Sequence, residues 1–109
     1  MIPYGRHYID EADVAAVVDV LRHGALTQGP KIAEFEESVA RYVGAKYAVA
    51  VSSGTAALHL ACIAADAGPG DNVVTTPSTF VASANCALYV GATPRFADIN
   101  AETLNLDPQ

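Results

Sequence analysis

The sequence predicts an α/β fold with a mainly parallel sheet, and two observations support that prediction. From residue 46 onward, apolar runs of strand length alternate with helical patterns of about ten residues, which is the order of βαβ units. The composition, 51% hydrophobic and 17% charged, is apolar enough for a core and too apolar for disorder. Before residue 46 the chain carries only helical patterns. We therefore expect a helical N-terminal arm over residues 1–45 and the start of an α/β sheet over residues 46–109.

Two helices are predicted in the arm. Asp10 is a good N-cap for the first helix, whose valines recur at helical spacing until Gly24 ends it. Residues 26–30 form a loop, and Pro30 is tolerated at the first position of the second helix. Gly44 suits the end of that second helix.

The second region contains three predicted strands and two predicted helices. Apolar and β-branched runs mark the strands, and stretches rich in Ala and Leu mark the helices. Gly and Pro residues separate these elements as turn signals. The predicted elements are, in chain order, a strand over residues 47–51, a helix over 56–65, a strand over 72–75, a helix over 80–89 and a strand over 94–97.

The junction after the first predicted strand is the most informative part of the chain. The strand pattern stops at Ser52-Ser53-Gly54-Thr55, and a helix pattern begins directly afterwards. A helix N-terminus carries unpaired N–H groups and partial positive charge, so this turn can hold a phosphate. The hydroxyls of Ser53 and Thr55 could add donors, and Gly54 lets the backbone approach a ligand closely. The alternative is a plain N-cap, for which Ser and Thr are common.

The position of this turn in the sheet favours phosphate binding. Ligands of open parallel sheets bind beyond the carboxyl ends of the strands. Residues 52–55, residues 77–80 and Asp98 each follow a predicted strand. We therefore expect these three positions to converge at one edge of the sheet.

Charge and composition exclude several classes of function. The formal net charge is −6, and the six basic residues are scattered, so a nucleic-acid partner is not expected. An acidic surface also disfavours anionic membranes, and no apolar run reaches the roughly 18 residues that span a bilayer. The cysteines and histidines lack metal-ligand spacing, so no metal is expected. Cys62 and Cys86 suit a reduced pair of thiols, which favours a cytoplasmic protein.

Three strands are too few for a finished sheet of this class, since parallel strands need neighbours and covering helices. We therefore expect the chain to be the N-terminal part of a longer protein. Alone it would expose an apolar sheet edge and be marginally stable.

Six short blocks in order resemble the DegT/StrS-type nucleotide-sugar aminotransferases, which use pyridoxal phosphate (PLP). The resemblance extends from Ile2 to Pro108. It is closest to the branch that makes UDP-4-amino-4,6-dideoxy-N-acetyl-β-L-altrosamine on the pseudaminic acid pathway, as suggested by the first two blocks. The blocks are Ile2-Pro3-Tyr4-Gly5, Leu26-Thr27-Gln28-Gly29-Pro30, Phe35-Glu36, Ser52-Ser53-Gly54-Thr55-Ala56-Ala57-Leu58, Thr79-Phe80-Val81-Ala82 and Ala97-Asp98-Ile99.

This resemblance implies a fold, an activity and partners. The fold would be the N-terminal part of the fold-type I PLP transferase large domain, a three-layer α/β/α structure that is incomplete in this chain. The full-length enzyme would move an amino group from L-glutamate to a UDP-linked 4-keto-6-deoxy sugar. It would work as a homodimer in pseudaminic acid or related surface-glycan biosynthesis.

The resemblance also implies site residues. The turn Ser53, Gly54, Thr55 and Ala56 would hold the PLP phosphate, and Phe80 would stack on the pyridine ring, where a flat apolar face is needed. Without the resemblance, Phe80 is better explained as a core residue that opens a helix. Without the resemblance, the loop over residues 24–27 would be a plain helix connection, and Tyr4 would be a partly buried surface aromatic. The implied substrate contacts are Tyr4, Gly24, Ala25, Leu26 and Thr27.

The departure from the family pattern is the missing Schiff-base lysine, which such enzymes need. Lys31 and Lys46 lie in or near the second helix and are expected to be solvated surface charges, because the family places its lysine beyond residue 109. Asp98 is expected to be a structural or loop-capping residue. The chain alone is therefore predicted to be inactive.

Two alternatives stay open at this point. One is a non-catalytic or regulatory binding protein with a PLP fold, and the other is a PLP-dependent sugar dehydratase with His in place of the lysine. The identity of the downstream residue discriminates them. A nucleotide-binding α/β domain is disfavoured, because neither the Gly-x-Gly-x-x-Gly pattern nor the P-loop lysine motif is present.

Overall fold

A computed structural model describes residues 5–108 of the chain. They form two compact units, one ending at Ala50 and one beginning at Val51. Among the described residues, no helix has the length and apolarity that a membrane crossing requires. The elements are α1 (Glu11–His23), α2 (Pro30–Val43), α3 (Gly54–Ala64), β1 (Asn72–Thr75), α4 (Ala82–Tyr89) and β2 (Thr93–Phe96).

The first unit contains α1 and α2, and both begin and end where the sequence predicts. The Asp10 carboxylate accepts hydrogen bonds from the N–H groups of Ala12 and Asp13, at 2.9 and 3.0 Å. The Asp13 carboxylate accepts one from the Asp10 N–H at 3.1 Å. This reciprocal capping box stabilises the start of α1 by about 1 kcal/mol. Pro30 is the first residue of α2, and Gly44 ends that helix with a φ of 72°.

The predicted strand over residues 47–51 is wrong. A strand exists only when its backbone groups pair with a neighbouring strand, and the described residues contain just one ladder, between β1 and β2. The Ala50 N–H is used differently, because it donates to the Glu36 carboxylate at 2.8 Å. The apolar pattern shows that this segment is suited to a sheet, but it does not identify a neighbouring strand with which the segment could pair.

The second unit is built on a parallel β1-α4-β2 unit. β1 pairs with β2 from Asn72 opposite Thr93 to Thr75 opposite Phe96, which confirms the predicted parallel pairing. β1 has the predicted bounds, and β2 lies one residue earlier than expected. Helix α4 packs on both strands and on α3.

Small side chains form the core of the second unit. Two of them, Cys62 on α3 and Cys86 on α4, are free cysteines. Burial raises the pKa of the Cys62 thiol, and its contact with Cys86 adds to that shift. Because the neutral thiol of Cys62 is favoured, this residue behaves as a small apolar side chain. The buried side chains of this unit are Cys62, Ala82, Cys86, Ala87 and Ala92.

Candidate cofactor site

The start of α3 is capped by Ser53. Its backbone is extended, with φ −165° and ψ 163°, and its hydroxyl oxygen accepts a hydrogen bond from the Ala56 N–H at 3.1 Å. The Ala57 N–H donates to the Ser53 carbonyl at 3.0 Å and closes the first helical bond. The helix therefore begins at Gly54 rather than at Ala56. The N-cap alternative is confirmed for Ser53, whose hydroxyl hydrogen stays available as a donor.

Gly54 and Thr55 carry unused donors in the first turn of α3. In the described part of the chain, neither of their N–H groups has an acceptor, and the Thr55 hydroxyl makes no hydrogen bond. A Cβ built on Gly54 would meet no atom within 4 Å, so open space lies in front of the backbone. Two successive free N–H groups, a hydroxyl and the positive end of the helix dipole suit a phosphate. These residues therefore fit the phosphate of PLP.

Phe80 lies outside the core. The predicted helix over residues 80–89 begins only at Ala82, so Phe80 belongs to the loop after β1. Phe80 is 73% exposed, so it is not part of the core that the described residues form. It lines a cavity of about 230 Å³ together with Thr76, Pro77, Thr79, Val81, Ala84 and Phe96.

The cavity lies at the carboxyl ends of both strands. β1 and β2 are parallel, so the loop after Thr75 and the end of β2 at Phe96 share one edge of the sheet. This confirms that residues 77–80 lie where ligands of parallel sheets bind. Residues 52–55 do not follow a strand of this sheet, because residues 47–51 are not part of it.

Asp98 has the loop-capping role that the sequence predicts. Its carboxylate accepts a hydrogen bond from the Ile99 N–H at 2.7 Å, and its carbonyl accepts one from the Asp107 N–H at 2.9 Å. An antiparallel bridge between Ile99 and Leu106 closes the same loop. Asp98 is thus occupied in holding the chain after β2.

The implied substrate loop belongs to the first unit, and Tyr4 lies outside the described residues. Gly24 ends α1, and a Cβ there would come within 3.0 Å of the Val20 carbonyl oxygen. A Cβ on Gly29 would come within 2.6 Å of the Ala25 carbonyl oxygen. A side chain at position 29 would therefore force the backbone of this loop to shift, whereas one at position 24 would be a tight fit. Leu26 at its tip is 70% exposed, so its side chain is free to contact a ligand. The connecting role of this loop is evident, and substrate binding by Gly24, Ala25, Leu26 and Thr27 stays a prediction.

The two lysines are surface charges, as predicted. Lys31 Nζ lies 2.5 Å from Glu34 Oε2, and its side chain is 58% exposed. This hydrogen bond raises the pKa of Lys31, which keeps the amine protonated and unsuited to nucleophilic attack. Lys46 is also exposed, with Nζ 5.1 Å from the centre of the Tyr47 ring.

Two of the histidines contact neighbouring side chains. His59 on α3 meets the Tyr89 ring of α4 edge-on, with the ring centres 5.2 Å apart. His23 Nδ1 lies 3.0 Å from the Asp19 carboxylate on the exposed side of α1. In the part of the chain that the structure describes, no group of three or more His, Cys, Asp or Glu side chains could hold a metal ion.

Comparison with known proteins gives the family. The model of the DegT/DnrJ/EryC1/StrS aminotransferase family matches residues 7–109. The chain belongs to this family. Spore coat polysaccharide biosynthesis protein SpsC of Bacillus subtilis is 50% identical over 98% of the chain and 28% of its own length. UDP-4-amino-4-deoxy-L-arabinose–oxoglutarate aminotransferase of Shewanella sediminis is 47% identical over 97% of the chain and 27% of its own length.

Solved structures of aminotransferases share the fold of this DegT-family chain. The PLP form of Spr1654 of Streptococcus pneumoniae, described as a sugar aminotransferase, has a TM-score of 0.86 at 40% identity, over 97% of this chain and 27% of its own. Helicobacter pylori PseC, an aminotransferase of pseudaminic acid biosynthesis, has a TM-score of 0.82 at 37% identity, over 90% of this chain and 27% of its own. The α/β class and the fold of PLP aminotransferases are thereby confirmed. The chain spans little more than a quarter of these proteins.

Proposed function

We propose that this chain supplies two parts of the cofactor site of a PLP-dependent sugar aminotransferase. The phosphate cup is formed by Ser53, Gly54, Thr55 and Ala56, and the ring wall, against the pyridine ring, includes Phe80. The observation that carries the proposal is the pair of unused N–H groups on Gly54 and Thr55 at the start of α3, together with the open space where a Cβ on Gly54 would stand. Membership of an aminotransferase family supports the same assignment. The structure of Spr1654 in its PLP form, which shares this fold, supports it as well.

Each residue of the proposed cup has a separate task. The N–H groups of Gly54 and Thr55 would bind phosphate oxygens, and the hydroxyls of Thr55 and Ser53 would donate further hydrogen bonds. Ala56 would contribute the backbone that closes the cup, since its own N–H is bound to Ser53. Phe80 would hold the ring by face-to-face contact. When bound, PLP supplies an electron sink that lets an amino group leave one carbon and join another.

We propose as the reaction the transfer of an amino group from L-glutamate to a UDP-linked 4-keto-6-deoxy sugar, in pseudaminic acid or related surface-glycan biosynthesis. The name of the Shewanella relative joins a UDP-4-amino sugar with oxoglutarate, the keto acid that glutamate becomes when it gives up its amino group. PseC acts in pseudaminic acid biosynthesis. Tyr4 and residues 24–27 would contact the sugar nucleotide. A homodimer is proposed from the family resemblance.

The direct test uses the full-length protein that carries this chain. We expect PLP to bind, and borohydride reduction followed by mass mapping to place the cofactor on one lysine beyond residue 109. Incubation with glutamate and the UDP-keto sugar should then yield the amino sugar. A cofactor that binds without any lysine adduct would indicate the His-bearing dehydratase, and absence of PLP binding would indicate a different binding protein.

The Gly54→Ala variant distinguishes phosphate binding by this turn from the stability of the helix that it starts. Because a Cβ at Gly54 meets no atom of the chain within 4 Å, helix stability should stay equal or rise by up to about 1 kcal/mol. The same Cβ would enter the proposed phosphate space and lengthen a charged hydrogen bond, which weakens PLP binding roughly 10- to 150-fold. Titration of PLP and thermal unfolding measure the two effects.

Gly68→Ala is the matched control for that substitution. A Cβ there would lie at an ordinary 3.9 Å from the Val90 carbonyl oxygen, in the same unit. It should change neither PLP affinity nor stability appreciably. Unchanged affinity in Gly54→Ala would contradict the phosphate cup.

Phe80→Ala tests the ring wall. Since Phe80 is 73% exposed, folding stability should change by no more than about 0.5 kcal/mol. Loss of the stacked face should weaken PLP binding roughly 2- to 10-fold. Val81→Ala removes a neighbouring exposed side chain that lines the same cavity and should leave the affinity unchanged. A large loss of stability in Phe80→Ala would restore the core explanation.

A further inference from the structure

The cavity at the carboxyl ends of the two strands has a second aromatic wall that none of the assigned functions uses. Phe96, the last residue of β2, lines this cavity together with Phe80. It is 59% exposed, so it is not part of the core of this unit. In the described part of the chain, aromatic rings meet at His59 and Tyr89 and not at the two phenylalanines. Phe80 and Phe96 therefore border the same space without stacking on each other.

The sheet holds Phe96 in a defined place. It lies opposite Thr75 in the parallel ladder, and the next residue, Ala97, donates its N–H to the Thr75 carbonyl at 2.9 Å. Helix α4 packs on both strands, and its residue Ala84 lines the same cavity. Phe96 therefore lies on the face of the sheet that α4 covers, at the carboxyl end of its strand. Strand pairing fixes its backbone there.

The size and chemistry of the cavity suit a ring better than a charged group. Its volume is about 230 Å³, whereas sites that take a whole drug-sized molecule measure roughly 300–1,000 Å³. None of the described residues that line it is charged. Its two hydroxyls already lie near polar atoms of the chain. Thr76 Oγ1 accepts a hydrogen bond from the Ser78 N–H at 3.1 Å, and Thr79 Oγ1 lies 3.5 Å from Ser83 Oγ. A phosphate or a complete sugar nucleotide would find neither the charge nor the room that it needs.

We propose that Phe96 is a second binding residue for the pyridine ring of PLP, which would occupy this cavity alongside Phe80. This inference rests on the proposed function, since the ring belongs to the cofactor proposed there. Contact between aromatic rings adds to the benefit of the area that they bury. A second aromatic wall therefore raises the affinity for a ring and not the affinity for a phosphate.

The test titrates three probes separately against the full-length protein, well below its unfolding temperature. The probes are PLP, pyridoxal, which has the ring without the phosphate, and inorganic phosphate. Phe96→Ala should weaken the binding of PLP and pyridoxal by the same factor, roughly 2- to 10-fold. The affinity for phosphate should not change, because the proposed cup lies at the start of α3. Phe96→Leu keeps an apolar side chain without an aromatic face and should give a smaller loss.

Two further variants control for packing. Val74→Ala removes a side chain of similar exposure, 56%, from the neighbouring strand. Val74 does not line this cavity, so the substitution should leave all three affinities unchanged. Ala84→Val adds two methyl groups on the α4 side of the cavity and should weaken the binding of PLP and pyridoxal but not that of phosphate. It also tests the cavity if Phe96→Ala fails to fold.

Two results would overturn the inference. One is unchanged affinity for PLP and pyridoxal in Phe96→Ala. The other is an equal loss of ring and phosphate binding, which would give Phe96 a packing role only. Phe80→Ala keeps these results apart from failure of the proposed function: weaker pyridoxal binding in that variant but not in Phe96→Ala would contradict the second wall alone. If the unaltered protein binds no PLP, the proposed function fails, and the role of Phe96 toward the cofactor fails with it.

Discussion

The unsatisfied N–H groups at the start of α3 are the constraint on which the proposed site depends. Ser53 satisfies the Ala56 N–H with its hydroxyl oxygen, and its extended backbone begins the helix at Gly54. The donors of Gly54 and Thr55 have no acceptor in the described chain. Since a helix cannot satisfy the first N–H groups by itself, an anion is a natural partner for them. The absence of a side chain at Gly54 leaves that partner room.

The β1-α4-β2 unit contributes the second part of the site. Parallel pairing brings the ends of both strands to one edge, and the loop after β1 exposes Phe80 at that edge. The buried core of this unit is made of Ala and Cys, and Phe80 is not part of it. An aromatic face beside a cavity suits a flat ligand ring. Phosphate cup and ring wall thus come from different elements of the same unit.

Local signals in the sequence predicted the local features well. The caps at Asp10 and Gly44 and the strand at residues 72–75 depend on residues close in sequence, so spacing alone was sufficient. The strand at residues 47–51 failed because a ladder depends on a distant partner, which an apolar pattern cannot identify. The helix predicted to start at Phe80 starts two residues later, at Ala82. An aromatic residue at the edge of a helical pattern fits the loop as well as the first turn.

The contact between Glu36 and Ala50 had no sequence signal of its own. Phe35-Glu36 entered the resemblance as a block without a physical role, and a separation of 14 residues matches neither a helical nor a strand period. Only the folded chain shows that this carboxylate meets a backbone donor. Contacts of this kind, which are specific but not periodic, cannot be predicted from the spacing of residues in a single sequence.

A crystal structure of the full-length protein with PLP tests the phosphate cup most directly. We predict phosphate oxygens at hydrogen-bond distance, roughly 2.7–3.2 Å, from the backbone nitrogens of Gly54 and Thr55. A phosphate bound elsewhere would contradict the cup, as would another protein group occupying these two donors.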